Sequence, residues 1–335
     1  NDKLYAEIRD FNVSVLASLL QERSRDIQRQ YEERPRDASN TVQELRDFVK
    51  KIPRLKEAFQ QLTVHIHLTE RVTSVTSGRP FRERWQVERE VLEGDNKTDF
   101  LMRAIATQQP LMSVLRLACL QSLVDNGLKP KVFDTLRREI IQTYGFEQLL
   151  TLMNLERVGL LKRRDAAGPW STIVSKFGLI KDDVDVREPK DAAYVTSGYA
   201  PLSCRVVERA LFGSWQPKSE TLRLLPGPTC HVRQAGATGA AESGGAHPAG
   251  VEESKGSGGA GAGAGATAAA AGVGGERRRK VALVFFVGGV TYLEIAALRT
   301  LAKQAESPYD IIVAATHVLN GDTLIKSLAE DAHDA

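Results

Sequence analysis

VALVFFVGGVTYLEIAALRTLAKQ, residues 281–304, decides the fold class of the C-terminal part of this chain. Its first seven residues are all apolar, which is typical of a strand buried in a parallel sheet. Two glycines then precede a helical pattern, and IIVAA at residues 311–315 supplies a second apolar strand. The order strand, helix, strand predicts a parallel, right-handed β-α-β unit, which the short helix TLIKSLAE closes.

The two predicted strands are apolar on both faces, and strands of that kind belong inside a larger sheet that helices cover. We find only these two good strands after residue 280 and none that is convincing before residue 190. We therefore expect the rest of the sheet to lie upstream of Asn1, in a chain truncated at its N-terminus. The initial Asn, where a complete chain would begin with Met, agrees with that expectation.

Residues 1–162 are predicted to be essentially all helical. Apolar residues recur at helical spacing in two stripes through residues 2–34, which predicts one long helix. The turn RPRDASN ends it, and a second helix begins at Thr41, whose spacing from Glu44 predicts a capping box. Two long helices joined by a short polar turn predict an αα-hairpin, with Pro53 kinking or restarting the second helix.

Further helices are predicted after the hairpin. The charged stretch FRERWQVEREVLEG suggests one, and four more follow between residues 98 and 157. Two of them have Pro near the start and Gly just after the end, the expected helix punctuation. Residues 234–275 are Gly and Ala with little else, so this stretch is predicted to be a disordered linker with almost nothing to bury.

Composition excludes several classes of protein. Among 335 residues, 45 Lys and Arg oppose 42 Asp and Glu, and a net charge of +3 does not indicate a nucleic-acid partner. The basic run RRRK at 277–280 is interpreted as a solubilising flank of the strand that follows. No apolar run approaches the roughly 18 residues of a membrane span, and no secretory signal opens the chain. Three dispersed cysteines suit a reducing compartment, so we expect a cytoplasmic protein.

Residues that could carry chemistry are few. The turn at Gly288 and Gly289 joins a strand to a helix, a place where phosphates are often held. It matches neither dinucleotide nor P-loop patterns, and a capping box of Thr291 with Glu294 explains it without a ligand. No histidine has partners at metal-ligand spacing, and no local nucleophile signature occurs. Nothing in the residues themselves therefore favours a cofactor, a metal site or enzymatic activity, although a catalytic triad assembled across the fold stays open at this point.

Five segments carry a resemblance to the SM family of membrane-fusion regulators. They are DKLYAEIRDFN, the stretch from LRLACLQSLVDNG through RREIIQTYGFEQLLTLMNLERVGLLK, SGYAPLSCRVVE, LRLLPGP and FFVGGVTYLEIAALRTLAKQ. The resemblance covers nearly all of the chain except the Gly/Ala stretch. It is closest to the branch of the family that serves in the HOPS and CORVET tethering complexes.

The resemblance implies a Sec1-like arch, here a mostly α-helical domain followed by part of an α/β domain with a parallel sheet. Residues 1–162 would be helical domain three with its hairpin, and residues 163–233 the start of the returning domain two. Residues 234–275 would be an inserted linker, and residues 276–335 the β-α-β end of domain two. Domain one would be missing.

The implied function is to bind SNARE helices and promote their assembly in membrane fusion. The implied second partner is the helical solenoid of the vacuolar sorting subunit sixteen, and the protein would reach vacuolar, lysosomal and late endosomal membranes only through its partners. Two other classes remain: a helical adaptor without SNARE contact, and a nucleotide-binding α/β enzyme.

Two sets of residues are predicted to make these contacts. The charged half of the first long helix would project and meet SNARE helices through Arg23, Arg25, Ile27 and Arg29, although such charged faces usually bind nothing. The solenoid partner would contact an anchor of Phe146 and Leu149 beside Arg137. The alternative for Phe146 is a core position between two helices, and the sequence does not separate these possibilities.

Overall fold

A computed structural model describes residues 2–32, 42–213, 220–225, 279–304 and 307–329. The predicted linker at 234–275 and the capping residue Thr41 lie outside the described residues. The elements are α1 Lys3–Ile8, α2 Val13–Glu32, α3 Val42–Thr76, α4 Arg79–Leu92, α5 Thr98–Ala106, α6 Leu111–Val124, α7 Pro130–Tyr144, α8 Gln148–Arg157, α9 Trp170–Phe177, a 3₁₀ turn Ala192–Thr196, α10 Leu202–Phe212, α11 Glu220–Arg223, β1 Lys280–Phe286, α12 Tyr292–Lys303, β2 Tyr309–Ala315 and α13 Gly321–Lys326.

The prediction of one long helix over residues 2–34 is wrong, because the chain forms α1 and α2 with a break between them. Asn12 causes the break: its Oδ1 accepts a hydrogen bond from the Ser14 amide at 3.1 Å and so caps α2. The Asn12 side-chain amide also donates to the Tyr194 carbonyl, 182 residues away. The Asn12 side chain thus bonds the backbone at two places, the Ser14 amide and the Tyr194 carbonyl. Such side-chain bonds to the backbone compete with the hydrogen bonds that would continue the helix.

The predicted helical hairpin is present as α2 and α3, which pack on each other. α3 runs through Pro53 as one helix of 35 residues, so the proline does not restart it. Leu20 of α2 and Leu62 of α3 are almost fully buried in the same apolar cluster, which α1 completes with Leu4 and Ile8. This packing stabilises the part of α3 that follows the proline, at which one backbone hydrogen bond is lost.

Helices α4 to α8 surround the largest apolar core of the chain. The predicted punctuation is confirmed, since α6 and α7 are followed by Gly127 and Gly145, both with positive φ. The C-terminal helix α13 also belongs to this core, because Ile325 is buried in it. Arg116 of α6 pairs with Asp322 at 3.2 Å and fastens α13 there.

Strands β1 and β2 pair in parallel, as predicted, with Lys280 opposite Tyr309 and Phe286 opposite Ala315. α12 covers one face of this two-stranded sheet, and Leu298 is its fully buried contact. Side chains on the other face are exposed by half or more: Val281, Leu283, Phe285 and Ile312. The strands are therefore apolar on both faces, but only one face is covered by described residues.

In the part of the chain that the structure describes, every helix is either too short or too polar to cross a membrane.

Candidate interaction surfaces

The residues predicted to bind SNARE helices lie on α2 in two different environments. Arg23, Arg25 and Arg29 are exposed, as the charge pattern suggested. Ile27 is half-buried and packs against the α1–α3 cluster rather than standing free. Its contribution to a partner would therefore be limited to the edge of its side chain.

The three arginines differ in whether a carboxylate of the same chain already pairs with them. Arg23 pairs with Glu7 of α1, and Arg29 lies 3.6 Å from Asp26 one turn earlier. Arg25 forms no ion pair with any residue that the structure describes. Exposed pairs of this kind contribute little stability, so a partner carboxylate could replace Glu7 or Asp26 at low cost.

An apolar stripe on α3, which the sequence analysis missed, is exposed on the same hairpin. Its members are half-exposed and follow each other at helical spacing of four, four and three residues: Val64, Leu68, Val72 and Val75. Residues at this spacing share one face of a helix. The buried contacts Leu55 and Leu62 lie on another face. The recurrence of apolar residues on two faces of the second helix is the signal that could have revealed the stripe.

The predicted solenoid-binding residues lie at the junction of α7 and α8. Phe146 is 73% exposed, which excludes the alternative that it is a core residue between the two helices. Leu149 is half-buried, and Leu150 and Met153 are further exposed apolar residues on the following turn of α8. We call Phe146, Leu149, Leu150 and Met153 the α7–α8 patch.

The backbone at Gly145 explains why Phe146 faces solvent. Gly145 has φ of 107°, a conformation that L side chains rarely adopt, and it ends α7. The chain turns there, and the Leu149 amide bonds the Phe146 carbonyl at 3.0 Å as α8 begins. Phe146 therefore sits in a tight turn between two helices that pack on each other.

Arg137, the third predicted residue, lies on α7 and pairs with Glu156 of α8 at 3.5 Å. Both side chains are about one third exposed. The pair joins the two helices that carry the patch, and it leaves part of the guanidinium accessible. Arg137 is thus placed to support the patch as well as to contact a partner.

The turn at Gly288 and Gly289 does not resemble a phosphate site. The Gly288 amide donates to Thr316 Oγ1 at 3.0 Å, and the Val290 amide donates to the His317 carbonyl at 3.0 Å. The Thr291 amide donates to the Glu294 carboxylate at 2.8 Å in the predicted capping box. Three amides that a phosphate would need are occupied, and a carboxylate stands at the helix start, where it would repel an anion.

Comparison with known proteins shows the family of this chain. The model of the Sec1 family matches residues 1–327. The vacuolar protein-sorting-associated protein 33 homolog of Arabidopsis thaliana is 38% identical over 98% of this chain and 52% of its own length. Vacuolar protein sorting-associated protein 33A of Rattus norvegicus is 37% identical over 98% of this chain and 50% of its own. The chain spans about half the length of these relatives.

Solved structures agree on the fold. The Unc18–syntaxin 1 complex from Monosiga brevicollis matches 98% of this chain and 51% of that chain, with a TM-score of 0.57 and 13% identity. The SM protein Vps45 in complex with the Qa SNARE Tlg2 matches 95% and 48%, with a TM-score of 0.52 and 12% identity. By sequence and by fold, this chain belongs to the Sec1 family.

Proposed function

We propose that this protein is the SNARE-binding SM subunit of a vacuolar or endosomal tethering complex, and that it promotes SNARE assembly in membrane fusion. Its relatives carry the name of vacuolar protein sorting, and both structural neighbours are complexes with a syntaxin or a Qa SNARE. The proposed work is binding rather than catalysis. The proposed location is the cytoplasmic side of vacuolar, lysosomal and late endosomal membranes, reached through partners.

The observation that carries the proposal is the hairpin of α2 and α3. One helix presents Arg23, Arg25 and Arg29, and the other presents the exposed α3 stripe. A SNARE motif is a long amphipathic helix, and such a helix can lay its apolar face along an elongated apolar surface. The arginines would speed association with acidic SNARE residues, and the stripe would bury the apolar face.

The first test reverses two charges, Arg25→Glu with Arg29→Glu, and measures binding of a Qa-SNARE motif peptide at low and moderate salt. We expect weaker binding and a smaller salt dependence than in the wild type, because exposed charges act over roughly one Debye length. Lys131→Glu, an exposed charge on α7, is the matched control and should leave binding unchanged.

A second arm of the same test places a charge in the α3 stripe with Leu68→Asp. Leu68 is 54% exposed, so the helix should fold normally while its apolar contact is lost. Weaker binding with unchanged circular dichroism supports the hairpin surface. Normal affinity in both arms would contradict it and would favour the alternative of a helical adaptor without SNARE contact.

The second proposed partner is the helical solenoid of vacuolar sorting subunit sixteen, in HOPS or CORVET. The support is the α7–α8 patch, in which an exposed aromatic lies among aliphatic side chains, a combination that suits a binding anchor. Arg137 would add a charged contact at its margin. The α7–α8 patch and the hairpin surface are made by different helices, so the two partners would not compete for the same residues.

A further inference from the structure

The break between α1 and α2 contains a buried carboxylate that no proposed surface uses. The Asp10 side chain is only 5% exposed. Lys303 Nζ lies 2.9 Å from it and Arg299 Nη1 lies 3.3 Å from it, both from α12 and nearly 300 residues along the chain. Arg9 adds a third cation at 4.0 Å. A buried charge is tolerated only where it is paired, so this carboxylate ties the break to α12.

The backbone of the same residue is tied to α12 a second time. The Tyr194 hydroxyl donates to the Asp10 carbonyl at 2.7 Å and lies 2.7 Å from Thr300 Oγ1. A phenol has one proton, so Thr300 is left to donate to Tyr194. Burial raises the pKa of Tyr194 above its ordinary value of 10, so the hydroxyl remains a donor into the alkaline range.

Asn12 connects the same 3₁₀ turn to the first residues of α2. Its side-chain amide donates to the Tyr194 carbonyl and to Ser197 Oγ, each at 3.1 Å. Its Oδ1 caps α2 at the same time. Arg89 of α4 donates to the Ser197 carbonyl at 2.9 Å. Hydrogen bonds to the 3₁₀ turn and the adjoining Ser197 therefore connect three helices, α2, α4 and α12.

We propose that Asp10 and Asn12 are positioning residues that set the direction in which the α2–α3 hairpin leaves the body of the fold. α2 starts directly after the anchored residues, and it has no continuous helix behind it that could fix its direction. The orientation of the hairpin then depends on two connections: the charge pairs between Asp10 and α12, and the short link from α3 to α4 at Ser77 and Gly78. This inference concerns the geometry of the hairpin and does not depend on what the hairpin binds.

The proposal is tested by measuring the distance between two spin labels on the full chain. This chain also carries Cys230→Ser. One label replaces Val49 of α3 and the other replaces Tyr292 of α12, residues that are 54% and 72% exposed. Asp10→Asn keeps the shape of the side chain but removes its charge, and Lys303→Gln removes one of the cations. We expect both variants to broaden and displace the distance distribution between α3 and α12.

Two controls separate positioning from general loss of structure. A second label pair, at Gln21 of α2 and Val49 of α3, should give the wild-type distribution in every variant, because the hairpin itself stays packed. Glu7→Gln breaks the exposed pair with Arg23 and should leave both distributions unchanged.

The inference is overturned if a folded Asp10→Asn keeps the wild-type distribution between α3 and α12, or if the pair within the hairpin broadens equally. If Asp10→Asn does not fold, the test rests on Lys303→Gln. The Lys303 side chain is 61% exposed, so its replacement should cost little stability. A folded Lys303→Gln with the wild-type distribution would then contradict the proposal.

Discussion

At the scale of single residues, buried charges connect segments that are distant in the sequence. Arg205 is 8% exposed at its side chain, and its Nη2 donates to both oxygens of the Asp191 carboxylate at 2.7 and 3.0 Å. Asp191 also caps the 3₁₀ turn by accepting from the Ala193 amide at 2.8 Å, and it pairs with Lys181. One carboxylate thus holds α10 against the turn to which the hairpin is fastened.

We expect Asp191→Asn to lower the free energy of unfolding by about 2 kcal/mol at pH 7, because the buried Arg205 guanidinium loses one of its two charged partners and keeps only Glu208. Burial acts to raise the pKa of Asp191, but Lys181, the Ala193 amide and Arg205 outweigh it and lower the pKa below its ordinary value of 3.8. The stabilisation is therefore complete above that value and is lost as the pH falls through the lowered pKa.

Urea unfolding at several pH values measures this effect, and the gap between wild type and variant should narrow below about pH 4. Asp134→Asn is a matched control, because Asp134 pairs with Arg163 where both side chains are half-exposed, and it should cost less than about 1 kcal/mol. A gap that stays constant from neutral to acid pH would contradict the charge-pair explanation.

At the scale of elements, the junction of α7 and α8 shows how a helix end creates a surface. Gly145 ends α7, and the tight turn that follows leaves Phe146 73% exposed beside Leu150 and Met153. Elsewhere in these two helices, Phe133 and Leu152 are buried and hold the pair together. The exposed patch can therefore change without disturbing the core beneath it.

We expect Phe146→Asp to weaken binding of the purified solenoid subunit by on the order of thirtyfold, since an aromatic anchor contributes about 2 kcal/mol or more. The helical circular dichroism signal should not change. Val158→Asp is the control: Val158 is 51% exposed at the end of α8 and outside the patch. Titration calorimetry measures the affinity of both variants for the solenoid subunit. Equal affinities would mean that the partner binds at another surface.

At the scale of the whole molecule, the two-stranded sheet exposes apolar surface to solvent. Val281, Leu283, Phe285 and Ile312 form an apolar face that no described residue covers. Sheets with exposed apolar faces and unpaired edges associate with other chains. This exposure agrees with the sequence-based expectation that the two strands need further neighbours.

We therefore expect the 335-residue chain to self-associate, and the double variant Leu283→Thr with Phe285→Thr to weaken that association by about tenfold or more. Thr keeps the strand propensity, and each replacement removes about 1 kcal/mol of apolar burial. Sedimentation velocity over a range of concentrations measures the change. The control is Phe59→Thr on α3, where Phe59 is 60% exposed, and it should leave the association unchanged. A wild-type chain that is monomeric would contradict the expectation.

The sequence by itself determined the local elements of this protein. Helical periodicity and Pro–Gly punctuation located the hairpin and α5 to α8, and the apolar runs at 281–287 and 311–315 located both parallel strands. These features follow from interactions within a few residues, such as the capping box of Thr291 and Glu294. The resemblance of several segments to one family then identified the fold.

Tertiary contacts decided what periodicity could not show. The break after α1 combines a local cap, Asn12 on the Ser14 amide, with a bond from Asn12 to Tyr194, 182 positions away, and the apolar periodicity of residues 2–34 showed neither. Ile27 and Phe146 are both apolar residues next to an acidic residue in the sequence, yet the first packs into a cluster and the second faces solvent. Burial depends on which elements meet in space, and that is set by the packing of the whole chain rather than by the spacing of residues along it.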